Sequence, residues 1–285
     1  MHPSEILFHL QEGLEPWPEI VRRLKIPRPK LEVALQALQE EGFPVVFKEE
    51  GAGLLPGSPA PQFLLPRLKG KFGRPYRYLG RVTSTQDVLA AWKEAPEGAL
   101  VVAECQTRGR GRLGRPWESP PGNLYFSVLL EEADPLLPLR AGLALVEAVG
   151  FGFLKWPNDL LSPDGRKMGG ILIERSGSRI LLGVGINVER APLPASAALS
   201  EFKSVSRVQV LVDFLWSLEK WLSRENEEVL AHWKNRNATL GREAVVRVGG
   251  QVLFGQAVDL GPRGELILHT ENGIVFVHTG DVGFP

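Results

Sequence analysis

A glycine-rich stretch constrains the fold of this chain more than any other feature. The run Gly109-Arg110-Gly111-Arg112-Leu113-Gly114-Arg115 follows the apolar segment ALVVAECQ and matches G-x-G-x-x-G, the pattern of dinucleotide-binding folds. That pattern requires a helix to open on the last glycine, whereas prolines follow here at positions 116, 120 and 121. No G-K-[ST] follows either, so the sequence excludes a dinucleotide fold and a P-loop, and we expect a loop with no helix after it.

The same loop carries four arginines between its glycines, at positions 108, 110, 112 and 115. Guanidinium groups bind phosphate through paired hydrogen bonds, and backbone N–H groups at glycines approach anions closely. One interpretation is therefore a phosphate or nucleotide site. The other is a solvated basic loop or an RNA contact, and the loop alone does not distinguish the two.

The first segment, residues 1–65, is predicted to hold three short helices, a hairpin and a linker. We expect a helix capped by Ser4 over EILFHLQ, a second over Pro18–Leu24 and a third over Arg28–Glu41. VVFKEE, a GAG turn and LLP then form a two-stranded wing, the pattern of a winged helix-turn-helix. The proline-rich PGSPAPQF is predicted to be an irregular linker.

The middle segment, residues 66–238, mixes strands and helices. Strands are predicted over 99–106, 123–131, 169–174 and 180–188, and helices over 85–93, 138–149 and 208–233. Strands outnumber the helices between them, so a mixed sheet covered by helices fits better than a regular βαβ series. The last segment, residues 239–285, alternates around GGQ, GPRG and ENG turns and predicts a small β-barrel packed on the middle domain. The predicted class is α+β.

Composition excludes several classes of protein. Basic and acidic residues number 33 each, so no bulk attraction to nucleic acid or anionic lipid is expected. The single cysteine, Cys105, excludes an intramolecular disulfide framework and fits a reducing compartment. No signal peptide or membrane-spanning run is apparent, so we expect a cytoplasmic protein with no membrane partner.

Two further clusters follow the glycine loop. KWPND, at 155–159, would by itself indicate a turn, and RKMGG, at 166–170, a hairpin corner. Together with ECQTRGRGRLGRPW and with GVGINV at 183–188, however, they resemble the ordered motifs of the biotin protein ligases. Ser84-Thr85-Gln86, at the start of a helix, resembles another element of that family. Because order and spacing hold from Thr83 to Val188, the chain is identified as a member of this family.

The resemblance implies an ATP-dependent ligase that forms biotinyl-5'-adenylate and transfers biotin to a lysine. The acceptor would be the biotin carboxyl carrier protein domain of a biotin-dependent carboxylase. Biotin and ATP would be the substrates, and Mg²⁺ would accompany the ATP phosphates. The implied fold has an N-terminal winged helix-turn-helix, a central biotin ligase domain like that of class II synthetases, and a C-terminal SH3-like barrel.

The resemblance also assigns site residues. The implied biotin-binding residues are Ser84, Thr85, Gln86, Gln106, Gly109, Arg110, Arg112, Lys167, Gly169 and Gly170. The implied nucleotide-binding residues are Arg110, Arg112, Arg115, Trp117, Asn158, Lys167 and Asn187. Lys167 and Arg112 would stabilise charge during catalysis, and Asp159 would position or deprotonate the acceptor lysine, unless it is a structural turn residue. No metal site made of protein ligands alone is expected, because five histidines and one cysteine show no ligand spacing.

Two departures from the family pattern stand out. Leu113 occupies a position at which many members carry arginine. Residues 1–65 contain six basic and nine acidic residues, the wrong balance for a phosphate-binding face. We therefore expect binding to a DNA operator to be weak or lost.

Three alternatives remain at the level of sequence. A lipoate or octanoate ligase would share the fold and the adenylation chemistry. A DNA-binding biotin sensor would lack the ligase reaction, and a ligase that is also a repressor would combine both roles. The resemblance also leaves a homodimer open.

Overall fold

Three β-sheets organise residues 2–132 and 134–285, the part of the chain that this computed structural model describes; Met1 and Ala133 lie outside it. The sheets have three, seven and five strands and follow one another along the chain. One connected hydrophobic core runs through all three regions, from Ile6 to Val282. No helix in the described ranges is both long and apolar enough to cross a bilayer.

The amino-terminal region combines three helices with the three-stranded sheet. The helices are α1 (Pro3–Leu7), α2 (Trp17–Leu24) and α3 (Arg28–Glu40), and the strands β1 (Glu15–Pro16), β2 (Val45–Phe47) and β3 (Gly51–Leu54) pair in the order β1-β3-β2. The predicted second and third helices are confirmed to within one residue at each end. The third forms because Leu31, Leu35 and Leu38 fall on one buried face.

Two details of this region were predicted wrongly. Helix α1 is capped by the His2 side chain rather than by Ser4, and it ends at Leu7. The GAG run is not the turn of the hairpin but part of strand β3. A Cβ on Gly51 would lie 2.1 Å from the Glu15 carbonyl oxygen, so the glycine is there to admit the neighbouring backbone of β1.

The proline-rich segment is a packed element rather than an irregular linker. Helix α4 (Pro61–Leu64) and a 3₁₀ turn (Leu65–Arg67) follow the turn at 56–57. Ser58, Ala60 and Leu64 are fully buried. This packing fixes the amino-terminal region against the central one.

The central sheet is mixed, as predicted. Its strands are β4 (Tyr76–Val82), β5 (Leu100–Gln106), β6 (Leu124–Leu130), β7 (Phe153–Lys155), β8 (Asp159–Leu161), β9 (Lys167–Ser176) and β10 (Arg179–Ile186), paired in the order β4-β5-β6-β10-β9-β8-β7. Only β4 and β5 pair in parallel, and helix α5 (Thr85–Ala91) connects them. Strands β4, β7 and β8 were not predicted.

Helices α6 (Leu137–Val149), α7 (Arg207–Leu222) and α8 (Asn226–Asn235) pack together beside this sheet. The single helix predicted over 208–233 is wrong, because the chain breaks between α7 and α8. The buried guanidinium of Arg140, on α6, donates to the carbonyl oxygens of Trp221 and Arg224 at the break. Those carbonyls thus bond to a side chain instead of continuing the helix.

The carboxy-terminal region is a five-stranded antiparallel sheet. Its strands are β11 (Glu243–Val248), β12 (Gln251–Leu260), β13 (Leu266–Thr270), β14 (Gly273–Val277) and β15 (Asp281–Gly283), in the order β14-β13-β12-β11-β15. Its inner face, with Val246, Ala257 and Leu268, is fully buried. The Trp156 indole donates to the Gly264 carbonyl oxygen at 2.8 Å, which joins this sheet to the central region.

Candidate active site

A cavity of about 280 Å³ opens where the glycine loop crosses the central sheet. The start of α5, the end of β5 and the middle of β9 and β10 form its walls, and the glycine loop covers it. Eleven of the predicted site residues line it, namely Ser84, Thr85, Gln86, Gln106, Arg110, Arg112, Arg115, Trp117, Asn158, Lys167 and Gly170. The structure therefore brings most of the sequence-predicted site together.

The inner end of the cavity is polar and internally ordered. The Thr85 backbone N–H donates to Gln106 Oε1 at 2.9 Å, and Gln106 Nε2 donates to Ser119 Oγ at 2.9 Å. These two bonds fix the orientation of the Gln106 amide. Ser84 Oγ accepts the Gln86 backbone N–H, so Ser84 caps α5 and lines the cavity at the same time.

Two buried polar atoms of the cavity residues have no hydrogen-bond partner in the described chain. They are the acceptor Gln86 Oε1 and the donor Trp117 Nε1. Buried polar groups are normally paired, so these two atoms are exceptions among the residues that line the cavity.

Glycines make the room that these side chains occupy. A Cβ on Gly183 would lie 2.4 Å from Gln86 Nε2, and one on Gly185 would lie 2.5 Å from Trp117 Nε1. Sequence reasoning assigned neither glycine a role in the site, although two glycines alternating in an apolar strand signal close approach by other groups. Gly169 lies away from the cavity, where a Cβ would meet the Gly185 carbonyl oxygen at 3.1 Å.

The glycine loop is a hairpin rather than the opening of a helix. The Trp117 N–H donates to the Gly109 carbonyl oxygen at 2.9 Å, and the Gly111 N–H donates to the Arg115 carbonyl oxygen at 2.7 Å. At the tip, Leu113 has a left-handed φ of 56° and is 75% exposed. Gly109 shapes the base of the hairpin but does not line the cavity.

Three arginines tie this loop to the rest of the molecule. Arg110 bonds to Asp87 of α5 at 2.8 Å and to Glu174 of β9 at 3.0 Å, and the hydrogen bond to Glu174 raises its pKa. On the other side, Arg112 donates to Asn158 Oδ1 and to the Gly280 carbonyl oxygen, both at 3.1 Å. Arg115 pairs with Asp281 of β15 at 2.7 Å. The carboxy-terminal sheet therefore holds the loop closed over the cavity.

Lys167 lies at the cavity end opposite the unpaired amide. Its Nζ is 2.7 Å from Asp159 Oδ1, and it lies 5.2 Å from the centroid of the Trp117 ring. The side chain is 34% exposed, so it reaches solvent and a ligand while it keeps its carboxylate partner. With Arg112 and Arg115 it forms a cationic end to the cavity.

Asn187 lies behind the site rather than in it. It is 1% exposed, and its Nδ2 donates to the Ala197 carbonyl oxygen at 3.2 Å. Its N–H donates to the Met168 carbonyl oxygen at 2.8 Å, next to Lys167. A direct contact of Asn187 with a nucleotide stays a prediction, while its bonds here support the start of β9.

The chain matches two protein families. Residues 78–190 match the Biotin/lipoate A/B protein ligase family, and residues 239–284 match the Biotin protein ligase C terminal domain. The Bifunctional ligase/repressor BirA of Bacillus subtilis (strain 168) is 28% identical over 289 residues, or 87% of each chain. The Biotin--[acetyl-CoA-carboxylase] ligase of Mycobacterium tuberculosis is 34% identical over 211 residues, or 65% of this chain and 79% of that protein.

Among solved structures, the biotin protein ligase from Aquifex aeolicus in complex with biotin and ATP is similar, with a TM-score of 0.67 and 33% identity. The similarity covers 74% of this chain and 98% of that one. The biotin protein ligase from Leishmania major in complex with biotinyl-5-AMP matches with a TM-score of 0.56 and 27% identity, over 72% of this chain.

Proposed function

We propose, because the chain belongs to the biotin protein ligase family, that it activates biotin with ATP and transfers it to a lysine of a biotin carboxyl carrier protein. The observation that carries this is the polarity of the cavity. One end holds the amides of Gln86 and Gln106 with the hydroxyls of Ser84 and Thr85, and the other end holds the cations Lys167 and Arg112. Biotin has the same polarity, with a cyclic urea at one end and a carboxylate at the other.

The first step joins the carboxylate to the α-phosphorus. A biotin carboxylate oxygen forms the new bond, the bond to the bridging oxygen breaks, and pyrophosphate leaves with the electron pair. Negative charge increases where carboxylate and phosphate meet, and preorganised cations stabilise such charge strongly. Lys167 and Arg112 occupy that end of the cavity.

In the second step the acceptor lysine attacks the acyl carbon and AMP leaves. The attacking ε-amine must lose a proton, and Asp159 is the carboxylate next to the cationic end. Its ion pair with Lys167, at 2.7 Å, fixes the position of this carboxylate.

Mg²⁺ is proposed to reach the site with ATP. In the described ranges no three histidine, cysteine or acidic side chains form a cluster that would hold a metal ion. Mg²⁺ commonly binds through substrate phosphates and one or two carboxylates, where it neutralises phosphate charge. Asp159 is the carboxylate beside the phosphate end.

The substrate is tested by incubating the protein with Mg²⁺ and α-labelled ATP, together with biotin, lipoate or octanoate. Of the three acids, we expect only biotin to give a labelled acyl-adenylate, since only biotin carries a cyclic urea that can pair with the amides and hydroxyls at the polar end of the cavity. Turnover with lipoate or octanoate but not biotin would assign the protein to the neighbouring ligases. Tight biotin binding without any adenylate would instead indicate a sensor.

The terminal regions are proposed to be a winged helix-turn-helix (1–65) and an SH3-like barrel (239–285), with the catalytic domain between them (66–238). Three helices followed by the β2-β3 hairpin support the first assignment. The family match over residues 239–284 supports the second. The B. subtilis relative is named a ligase and a repressor, so a role in transcription is a second candidate for this chain.

DNA binding is nonetheless expected to be weak. The turn of the hairpin carries Glu49 and Glu50. The exposed positions of α3 include Val33, Glu40 and two basic residues, Lys30 and Arg28, of which Arg28 is paired with Glu32 at 2.8 Å. Phosphate contacts supply most of the affinity of such modules, and acidic groups at the tip repel the backbone. In gel-shift or anisotropy assays at physiological salt, we expect no complex in the range of about 10⁻⁸ to 10⁻¹¹ M that specific regulators reach. A salt-sensitive nanomolar complex with one operator would contradict this.

Formation of a homodimer by this chain is likewise a proposal. Each edge of the central sheet already meets another segment of the same chain. On β4 the Arg81 N–H donates to the Glu41 carbonyl oxygen at 2.8 Å, and on β7 the Leu154 N–H donates to the Arg236 carbonyl oxygen at 2.7 Å. A dimer that joins two central sheets edge to edge would have to displace one of these contacts.

A further inference from the structure

A second cavity adjoins the candidate active site. It has a volume of about 550 Å³ and lies between the β7-β8 hairpin and the start of the carboxy-terminal region. Among the residues that the structure describes, Lys167 alone lines both cavities. The second cavity begins, therefore, where the cationic end of the first one stops.

Two cations of this cavity have no acidic partner. Within the described chain, neither Lys155 nor Arg242 has a carboxylate oxygen within 4.0 Å, and both lie over the Phe284 ring, at 5.4 Å and 3.6 Å from its centroid. The two carboxylates of the cavity are each engaged by another cation, Asp159 by Lys167 at 2.7 Å and Asp164 by Arg166 at 2.8 Å. The uncommitted charge of the cavity is positive.

Burial strengthens the tendency of this cavity to take up an anion. Lys155 is half-buried, and desolvation lowers its pKa. An anion placed beside it would restore the interactions that the ammonium has lost, and such bonds to charged groups are among the stronger ones in proteins.

The chemistry of the first step indicates which anion binds. In phosphoryl and nucleotidyl transfer the attacking and leaving oxygens lie roughly in line through the phosphorus. If the biotin carboxylate approaches from the first cavity and the α-phosphate lies at Lys167, the leaving group is on the far side of Lys167. We propose that the second cavity binds the β- and γ-phosphates of ATP and the pyrophosphate product, with Lys155 and Arg242 as their ligands. This assignment rests on the proposed ligase function.

The step needs no further reactant. The carboxylate oxygen bonds to the α-phosphorus as the bond to the bridging oxygen breaks, and that oxygen leaves as part of pyrophosphate. Lys155 and Arg242 then stabilise charge on the leaving group. Lys155 belongs to the KWPND motif but received no role from sequence reasoning, and Arg242 stands just before β11.

The test compares Lys155→Gln and Arg242→Gln with Arg263→Gln, a control on an exposed turn of the carboxy-terminal sheet. Biotin-dependent exchange of labelled pyrophosphate into ATP gives KM values for pyrophosphate and for biotin separately. We expect KM for pyrophosphate to rise about tenfold in each test variant, consistent with the loss of one hydrogen bond to a charged group. KM for biotin should stay within twofold in all three variants. Calorimetry should also show that inorganic pyrophosphate with Mg²⁺ binds the native chain and not the Lys155→Gln/Arg242→Gln double variant.

An unchanged KM for pyrophosphate in both variants would overturn the assignment. So would a rise confined to KM for the acceptor protein, which would make the second cavity the entry path of the acceptor lysine. Failure of the ligase function has a different signature, since the native chain would then show no biotin-dependent exchange at all. Pyrophosphate binding by calorimetry decides the assignment even in that case.

Discussion

Replacing Lys167 with alanine is expected to lower the rate of biotinyl-adenylate formation by about 10²- to 10³-fold. Removing one preorganised group that stabilises transition-state charge has effects of this size. Lys167 lines both cavities, so it lies between the proposed positions of the carboxylate and of the leaving group. Rapid-quench assays with α-labelled ATP and saturating biotin measure the change in rate.

Two variants separate this effect from a loss of structure. Lys203→Ala removes an exposed lysine that lines neither cavity and should leave the rate unchanged. Lys167→Arg keeps the charge and the partner Asp159, and should retain more activity than alanine. A rate for Lys167→Ala within threefold of the native one would show that the arginines of the loop carry the charge stabilisation instead.

Replacing Glu104 with glutamine is expected to lower the free energy of unfolding by about 3–5 kcal/mol, the usual result of breaking a buried ion pair on one side. Glu104 and Arg207 have side chains only 1% and 3% exposed, and they lie 2.6 Å apart. The substitution keeps size and shape but leaves the guanidinium buried without a counter-charge. Unfolding in urea, followed by tryptophan fluorescence, measures the difference.

An exposed pair supplies the matched control. Glu32→Gln breaks the ion pair with Arg28, whose side chains are 37% and 43% exposed, and should change stability by less than about 1 kcal/mol. The double substitution Glu104→Leu with Arg207→Met should recover part of the loss, because it removes both charges at once. If Glu104→Gln and Glu32→Gln were equally mild, water would have to reach Glu104.

The local sequence pattern was sufficient to predict the longer helices and strands. Helix α3 was predictable because its leucines repeat at helical spacing. Strands β5, β6 and β10 were predictable because each is a short, nearly continuous apolar run, which is typical of a strand buried on both faces. Strands β7 and β8 have three residues each, too few to establish a period. The break between α7 and α8 depends on Arg140, which lies 84 residues before the Arg224 carbonyl that it binds.

The candidate site was likewise predictable only in part. The order of the motifs was enough to name Lys167 and the loop arginines, since each lies in a recognisable run. Their partners were not predictable, because Arg110 meets Glu174 across 64 residues and Arg115 meets Asp281 across 166. The second cavity was missed for a similar reason, because it joins Lys155 to Arg242, two residues that no single motif contains.

The ion pair between Arg115 and Asp281 can form only late in synthesis of the chain, so the active site is completed only then. The two residues are 166 positions apart, which at about 5–20 residues per second amounts to roughly 8–30 s of translation. Until β15 has left the ribosome, the walls of the cavity can form but its cover has no anchor on that side. A reactive acyl-adenylate made by an unfinished chain would then escape before transfer. Retention of the acyl-adenylate until transfer is thereby confined to chains in which synthesis has passed the last strand.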